Sequence, residues 1–205
     1  MPFKFIVGGP CYQMQVDARH AMSVARLCAL GSVRGHDIGY QYAHRTPVSW
    51  ARNDLFEAAL KTDSDVLFWC DSDSSFDPRD ALAMVERTYQ SHYPFVTMPS
   101  RMRVSGRINV NNGHGWLTQE AWDDMVETKS PTGPIPVHAT GMGTACFHLD
   151  TFRDKWPIGP WFYDVWGKHG FMSEDFVFTS TLEERVGYRP MAWPALCQHH
   201  PRGVE

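Results

Sequence analysis

The stretch Val66-Leu67-Phe68-Trp69-Cys70-Asp71-Ser72-Asp73 decides how the rest of this sequence is interpreted. Its first five residues are apolar, and a run this short and β-prone is typical of a strand buried on both faces of a parallel sheet. The polar residues that follow mark the end of that strand. Because ligands of open α/β sheets bind beyond the carboxyl ends of the strands, we expect Asp71 and Asp73 to face a ligand.

The first hundred residues alternate between strand-like and helix-like patterns on either side of this stretch. Asp77-Pro78 is typical of a helix start, because Asp caps the helix and Pro fits its first position. The patterns predict strands at 3–7, 38–43, 66–70 and 94–98, and helices at 17–30, 49–60 and from Asp77 onward. This alternation predicts an α/β fold with a mostly parallel sheet flanked by helices.

The second hundred residues are less regular and richer in Gly, Pro and aromatic residues. The patterns predict a hairpin at 108–116, helices at 119–126 and 174–185, and strands at 144–148 and 195–199. Internal repeats and Gly/Ser linkers are absent from the sequence. We therefore predict one domain over 1–205, with a regular half at 1–100 and a mixed, loop-rich half at 101–205.

The composition of the chain argues against several classes of protein. The formal net charge of −4 disfavours a protein that holds duplex DNA mainly through phosphates, although a local basic patch could suffice. Five cysteines without a CxxC pair disfavour a disulfide framework or a structural zinc site. The sequence has neither a signal-peptide pattern nor an apolar run long enough to span a membrane, which predicts a cytoplasmic protein with no membrane partner.

The pair Asp71 and Asp73 suits a hard divalent cation. Carboxylates one residue apart can face one Mg²⁺ or Mn²⁺ ion, whose shell phosphate oxygens often complete. Asp63-Ser64-Asp65 repeats the pattern but precedes the buried strand, so we interpret it as a solvated turn.

Two further segments carry candidate groups. Ser173-Glu174-Asp175-Phe176 opens a helix, where capping and the helix dipole alone could explain the acids. The functional alternative is a carboxylate that deprotonates a hydroxyl. At the end of the last predicted strand, Cys197-Gln198-His199-His200 supplies imidazoles that either complete a coordination shell or form a surface pair.

A basic loop and several aromatic residues leave two interpretations open. Arg101, Arg103 and Arg107 form either a solvated loop or an anion grip, on a donor diphosphate or on an acceptor with phosphates. Aromatic rings in the second half either fill the core or stack on a base or sugar: Trp116, Trp161, Trp166 and Phe171.

Taken in order, these motifs resemble those of the GT-A glycosyltransferases, in particular compact members related to glycosyltransferase family 2 of the kind found in phages. The resemblance covers nearly the whole chain. It is carried by Pro10, Ala51-Arg52-Asn53, Asp71-Ser72-Asp73, Gly141-Met142-Gly143, Ser173-Glu174-Asp175-Phe176 and His199.

The resemblance implies a GT-A (Rossmann-like) fold and an enzyme that moves a sugar from a nucleoside-diphosphate sugar, by default a UDP-sugar, to an acceptor hydroxyl. The acceptor would be a glycan or a hydroxymethylated base in phage DNA, and no protein partner is implied. The half at 1–100 would bind the nucleotide-sugar, and the half at 101–205 would carry acceptor and catalytic groups.

On the donor side, the resemblance places Pro10 and Tyr12 in the nucleobase pocket and Arg52 and Asn53 against the nucleotide. Gly143 would let the backbone approach the donor sugar and the acceptor closely. Each of these roles is an expectation for this chain.

On the chemical side, Asp73 would bind the metal, and Asp71 would help through the ribose or a metal-bound water, with Ser72 between them. Late in the chain His199 would be a metal ligand, with His200 as the alternative. Among the helix acids, Asp175 would be the general base and Glu174 its neighbour at the sugar.

Two rival functions remain open at the sequence level. A metal-dependent nucleotidyltransferase tends to carry a basic, Gly-rich loop after its first strand, and Gly8-Gly9-Pro10-Cys11-Tyr12 lacks Lys and Arg. A non-catalytic nucleotide-sugar-binding module would not need Asp71, Asp73, Asp175 and His199 together.

Overall fold

The computed structural model describes residues 1–11, 15–44, 47–102, 105–129, 133–167 and 170–200. The helices are α1 (Ala18–Val33), α2 (Val48–Leu60), α3 (Pro78–Ser91), α4 (Gln119–Lys129), α5 (Leu149–Lys155) and α6 (Glu174–Val186). The strands are β1 (Lys4–Pro10), β2 (Asp37–Ala43), β3 (Val66–Cys70), β4 (Ser74–Ser75), β5 (Phe95–Thr97), β6 (Val110–Asn111), β7 (Ile135–Pro136), β8 (Ala139–Thr140), β9 (Thr144–His148), β10 (Val165–Gly167), β11 (Gly170–Met172), β12 (Met191–Ala192) and β13 (Gln198–His199).

The main sheet has the strand order β2-β1-β3-β9-β5-β12-β7. Its strands β2, β1, β3, β5 and β12 run in one direction, and β9 and β7 run against them. This is an α/β fold with a large, mostly parallel sheet flanked by helices, which confirms the predicted fold class. The sheet takes strands from both halves of the chain.

The central strand β3 occupies the residues predicted for it, and all five are buried. It pairs parallel with β1 and antiparallel with β9. The antiparallel direction of β9 could not be derived from its composition, because a strand buried on both faces has the same apolar sequence in either direction.

Side chains alternate across the two faces of the sheet, as the period of a β-strand requires. On one face, Phe5 and Phe68 join a core with α1 and α3. On the other face, Leu67 and Trp69 join an aromatic core with α2, α5 and α6. The strand ends are therefore held rigidly between two packed layers.

Helix boundaries follow the expected capping chemistry. The Asp77 side chain accepts hydrogen bonds from the backbone of Arg79 and Asp80 at the start of α3, with Pro78 at the first helical position. At the other end of the chain, α6 stops at Gly187, whose φ of 80° suits a residue without a Cβ.

The hairpin predicted at 108–116 is only a fragment of the pairing found. The main partner of β6 is β8, with Val110 opposite Thr140, and a single bridge links Asn111 to Trp116. The sequence analysis also missed β12 at Met191–Ala192, because a two-residue strand has no detectable period.

No helix in the described ranges is both long enough and apolar enough to cross a membrane.

The centre of the aromatic core predicts the first stability test. Phe147 is fully buried, and its ring centroid lies 5.0 Å from that of Phe56 and 5.1 Å from that of Phe95. Phe147→Ala should lower the free energy of unfolding by about 3–5 kcal/mol, because a cavity replaces these contacts. Urea denaturation measures the change.

The same substitution at Phe171, which is 54% exposed, is the matched control and should lower the free energy of unfolding by less than about 1 kcal/mol. Equal losses would contradict this description of the core.

Candidate active site

The candidate site lies where β3 ends and β9 begins. Asp71 follows the last residue of β3, and its backbone N–H donates to the Gly143 carbonyl oxygen at 2.7 Å. Since β9 runs antiparallel to β3, its amino end lies at the carboxyl end of β3. The first turn of α6 brings Glu174 and Asp175 to the same edge of the sheet.

Arg52 joins these segments. Its Nη1 donates to Glu174 Oε1 at 3.0 Å, and its Nη2 lies 3.1 Å from Asp71 Oδ2. Nη1 also forms an ion pair with Asp175. We name these four residues, Arg52, Asp71, Glu174 and Asp175, the arginine cluster.

The arginine cluster is held on other sides by aromatic and backbone groups. The guanidinium carbon of Arg52 lies 5.4 Å from the ring centroid of Trp69, whose Nε1 donates to Asp71 Oδ1 at 3.2 Å. The backbone N–H of Met142 donates to Asp175 Oδ2 at 3.1 Å. Arg52 is only 3% exposed, and its fixed guanidinium orients carboxylates that remain partly accessible, with the Asp71 and Asp175 side chains 20% and 21% exposed.

Burial shifts the acid–base behaviour of two of these carboxylates. It raises the pKa of Asp71, and Arg52 offsets only part of that rise. It raises the pKa of Glu174 as well, again against the lowering effect of Arg52. With one guanidinium for three carboxylates, the cluster would carry excess negative charge if all three were ionised, and burial opposes that excess by favouring the protonated forms.

A second pair lies on the other side of Asp71. The short strand β13 pairs antiparallel with β4, with His199 opposite Ser74. This pairing places His199 Nε2 at 3.0 Å from Asp73 Oδ1. The ring of His200 instead forms a hydrogen bond of 2.6 Å with Ser75 Oγ, while its backbone N–H donates to the Asp73 carbonyl oxygen.

The donor atoms of Asp73 and His199 fit a hard divalent cation. Ligands at about 2.1 Å in adjacent octahedral positions are about 3 Å apart, which is the spacing of this pair. Within the described residues, no group of three His, Cys, Asp or Glu side chains is arranged to hold a metal ion by itself. A cation here would thus take its remaining ligands from water or from a bound phosphate.

Gly143 leaves space beside the motif. A Cβ at this position would lie 3.7 Å from Asp71 Oδ2 and 3.4 Å from Ser74 Oγ, so a side chain would occupy the space in front of both. Ser74 Oγ is itself buried and has no hydrogen-bond partner among the residues that the structure describes. Ser72 between the two acids is buried, and its carbonyl oxygen accepts from the Asp17 N–H at 2.9 Å.

The remaining sequence-predicted residues have different positions. Pro10 ends β1 and is buried, with Ala43 as its partner in β2. The Asn53 amide binds the loop after α5: its Oδ1 accepts from the N–H of Trp161, and its Nδ2 donates to the Phe162 carbonyl oxygen. Tyr12 and Arg103 lie outside the described residues.

The four aromatic candidates separate into buried and exposed groups. Trp161 is 3% exposed and belongs to the core, and Trp116 packs against Phe176 with centroids 4.5 Å apart. By contrast, Trp166 and Phe171 are exposed and pair across the β10–β11 hairpin. Trp161 is therefore a core residue, Trp116 is half-buried, and Trp166 and Phe171 are the most accessible of the four to a ligand.

Sequence reasoning missed several residues that build the site. Asp164 Oδ1 accepts from the backbone N–H of Glu174 at 3.1 Å and so fixes the start of α6. Buried His20 contacts the Ser74 carbonyl oxygen at 3.1 Å and the Tyr42 hydroxyl at 2.8 Å, below the motif. His20 lies 54 residues from Ser74, and Asp164 lies in an irregular segment ten residues before Glu174, so neither carries a local signal.

The charge balance of the arginine cluster predicts opposite effects for two substitutions. Arg52→Met should destabilise the protein by about 3–5 kcal/mol, because it leaves buried carboxylates without a cation. Glu174→Gln should be neutral or stabilising at pH 7 to 8, because the amide resembles the protonated form that burial favours. Urea denaturation at several pH values measures both changes.

The sign of the pH effect follows from the raised pKa of Glu174. A raised folded-state pKa contributes stability that is full below the unfolded-state value and lost as the pH rises through the folded-state value. The advantage of Glu174→Gln should therefore shrink as the pH falls, when the wild-type carboxyl becomes protonated. A constant difference at every pH would contradict the burial of this charge.

Comparison with known proteins places the fold among solved structures. A197 from STIV aligns with a TM-score of 0.61 at 17% identity, over 97% of this chain and 86% of that one. TarS from S. aureus, residues 1–349 in complex with UDP-GlcNAc, aligns with a TM-score of 0.51 at 14% identity, over 98% of this chain. This chain spans 60% of that TarS chain.

No protein-family model matches the sequence, and no match was found among curated proteins. The likeness to A197 and TarS thus establishes that the chain has a GT-A-like α/β fold. Sequence identities of 17% and 14% are too low to transfer the roles of individual residues.

Proposed function

We propose that this protein is a glycosyltransferase that uses a divalent cation, Mn²⁺ or Mg²⁺, to transfer a sugar from a nucleoside-diphosphate sugar to an acceptor hydroxyl. The observation that carries the proposal is the meeting of Asp71, Asp73, Glu174, Asp175 and His199 at the carboxyl end of β3. The shared fold adds support, because TarS was solved in complex with UDP-GlcNAc, and UDP is therefore the first donor nucleotide to test.

The local charge favours a bound cation. Four acids, Asp71, Asp73, Glu174 and Asp175, lie near Arg52, which is the only buried Lys or Arg in the described part of the chain. Asp73 and His199 would hold a divalent ion, and Asp71 would act through the ribose or a bound water. Such an ion would offset the negative charge that grows on the nucleoside diphosphate as it leaves.

The chain's own residues would position the acceptor. Asp175 would accept the proton of the attacking hydroxyl on Oδ2, which the Met142 N–H orients, while Oδ1 stays paired with Arg52. Arg52 would hold Glu174 beside it, on the side of the donor sugar. Gly143 would leave room for the donor next to Asp71.

Donor binding tests the cation and the motif together. Titration calorimetry of UDP with and without Mn²⁺ should detect metal-dependent binding to the wild type. Asp73→Ala should weaken that binding at least about tenfold, because it removes a metal ligand. Asp63→Ala is the matched control: it alters the similar Asp63-Ser64-Asp65 sequence, which lies at the other end of β3, and should leave binding unchanged. If neither UDP nor any other nucleoside diphosphate binds with metal, the proposal is wrong.

The proton acceptor is tested by donor turnover. Wild-type protein with Mn²⁺ should release UDP slowly from its UDP-sugar, with water as the acceptor. Asp175→Asn should lower that rate by about 10²- to 10⁴-fold while the Kd for UDP changes little. A rate equal to that of the wild type would remove Asp175 as the base. Metal-dependent UDP binding without any turnover, on every UDP-sugar and with every hydroxyl acceptor supplied, would favour a non-catalytic binding module.

A further inference from the structure

A groove of about 480 Å³ opens beside the Asp73–His199 pair. Two arginines and the end of the chain's last strand form most of its wall. We name it the basic groove; it is lined by Arg19, Arg101, Leu196, Cys197, Gln198, His199 and His200.

The walls of the basic groove are fixed to the candidate site. Arg19 lies in the first turn of α1, which is joined to the motif by the hydrogen bond from the Asp17 N–H to the Ser72 carbonyl oxygen. On the opposite wall, the Cys197 N–H donates to the Pro99 carbonyl oxygen at 2.8 Å. Arg101 follows Pro99 closely and forms a bridge with Ile108. The groove therefore has a defined position relative to Asp73.

The charges in this groove favour an anion. Arg101 is exposed, and no ion-pair or hydrogen-bond partner for its guanidinium lies among the described residues. The neighbouring Arg19 is paired with Asp17 at 2.9 Å, yet its side chain stays 61% exposed. Of the nearby acids, Asp17 forms an ion pair with Arg19, and Asp73 contacts His199.

The donors that line the groove match a phosphate. Guanidinium groups bind phosphate oxygens through paired N–H donors, and two arginines from different elements line this groove. Gln198, His199 and His200 line it as well. Sequence reasoning grouped Arg101 with Arg107, but Arg107 does not line this groove, whereas Arg19 does.

We propose that the basic groove binds a phosphate-bearing group, with Arg101 as its main contact and Arg19 as the second. This inference rests on the proposed function, which places a nucleotide-sugar at the adjacent Asp73. Phosphate can reach the groove from two sources: the diphosphate of the donor, or a phosphate on the acceptor. Both sources use the same chemistry, and calorimetry separates them.

The experiment compares wild type, Arg101→Ala, Arg101→Gln and the matched control Arg107→Ala, after thermal melting has established that each variant folds. The first probes are UDP and uridine, in the presence of Mg²⁺. The next probe is inorganic phosphate, titrated into protein saturated with UDP and Mg²⁺. The last is inorganic phosphate titrated into protein without nucleotide.

Two results support the proposal and identify the source. If both Arg101 variants bind UDP about tenfold more weakly while uridine binding is unchanged, the groove holds the donor diphosphate. If UDP binding is unchanged but phosphate binds the UDP-saturated wild type and not the Arg101 variants, the groove holds an acceptor phosphate. In both cases Arg107→Ala should behave as the wild type.

Other results overturn the proposal. Affinities for UDP and phosphate that are equal in the wild type and both Arg101 variants would exclude a role for the groove. A loss equal to that of Arg107→Ala would indicate general surface charge rather than a site. If the wild type binds no UDP but binds phosphate through Arg101, the proposed function is wrong, whereas the phosphate site in the basic groove is supported.

Discussion

A guanidinium group that is almost fully buried needs acceptors, and Arg52 finds them for Nη1 and Nη2 in carboxylates from two distant segments of the chain. Asp71 comes from the end of β3, and Glu174 and Asp175 come from the first turn of α6. The contact therefore joins α2, the central strand and the last helix at one point. Because each carboxylate would be costly to bury alone, the position of each depends on Arg52.

Three carboxylates share this one guanidinium, so acidic groups outnumber basic groups in the arginine cluster. Arg52 neutralises part of the negative charge, and burial raises the pKa of Asp71 and Glu174. Stability alone would favour fewer acidic residues at this position, because buried ion pairs add little to the free energy of unfolding compared with apolar packing. An excess of carboxylates beside a His–Asp pair is consistent with a site that completes its charge balance on binding a cation and a substrate.

Antiparallel pairing of β9 with β3 gives this protein its site geometry. A parallel β9 would start at the opposite edge of the sheet, and Gly143 would lie far from Asp71. Instead, Asp71 and Gly143 share a backbone hydrogen bond, and the short pairing of β13 with β4 brings His199 to Asp73. His199 also lines the basic groove, so this short strand lies beside both the Asp73 motif and the groove.

The local sequence was sufficient to predict the regular helices and strands and the position of the Asp71-Ser72-Asp73 motif at the end of β3. The run 66–70, the Asp77-Pro78 helix start and the stop at Gly187 are set by burial period, capping and backbone freedom, which act within a few residues. Sequence order also indicated that Asp71, Asp73, Asp175 and His199 belong together, through a resemblance rather than through any local physical signal.

Only the tertiary structure decided which of these groups touch. Arg52 contacts three carboxylates, Asn53 binds the loop after α5, and Arg19 lines the same groove as Arg101. The nucleotide contacts expected of Arg52 and Asn53 stay predictions. Each outcome depends on strand order, strand direction and helix packing over long separations, such as the 122 residues between Arg52 and Glu174. Such long-range pairings arise from the burial of whole layers, and a short window of sequence does not contain that information.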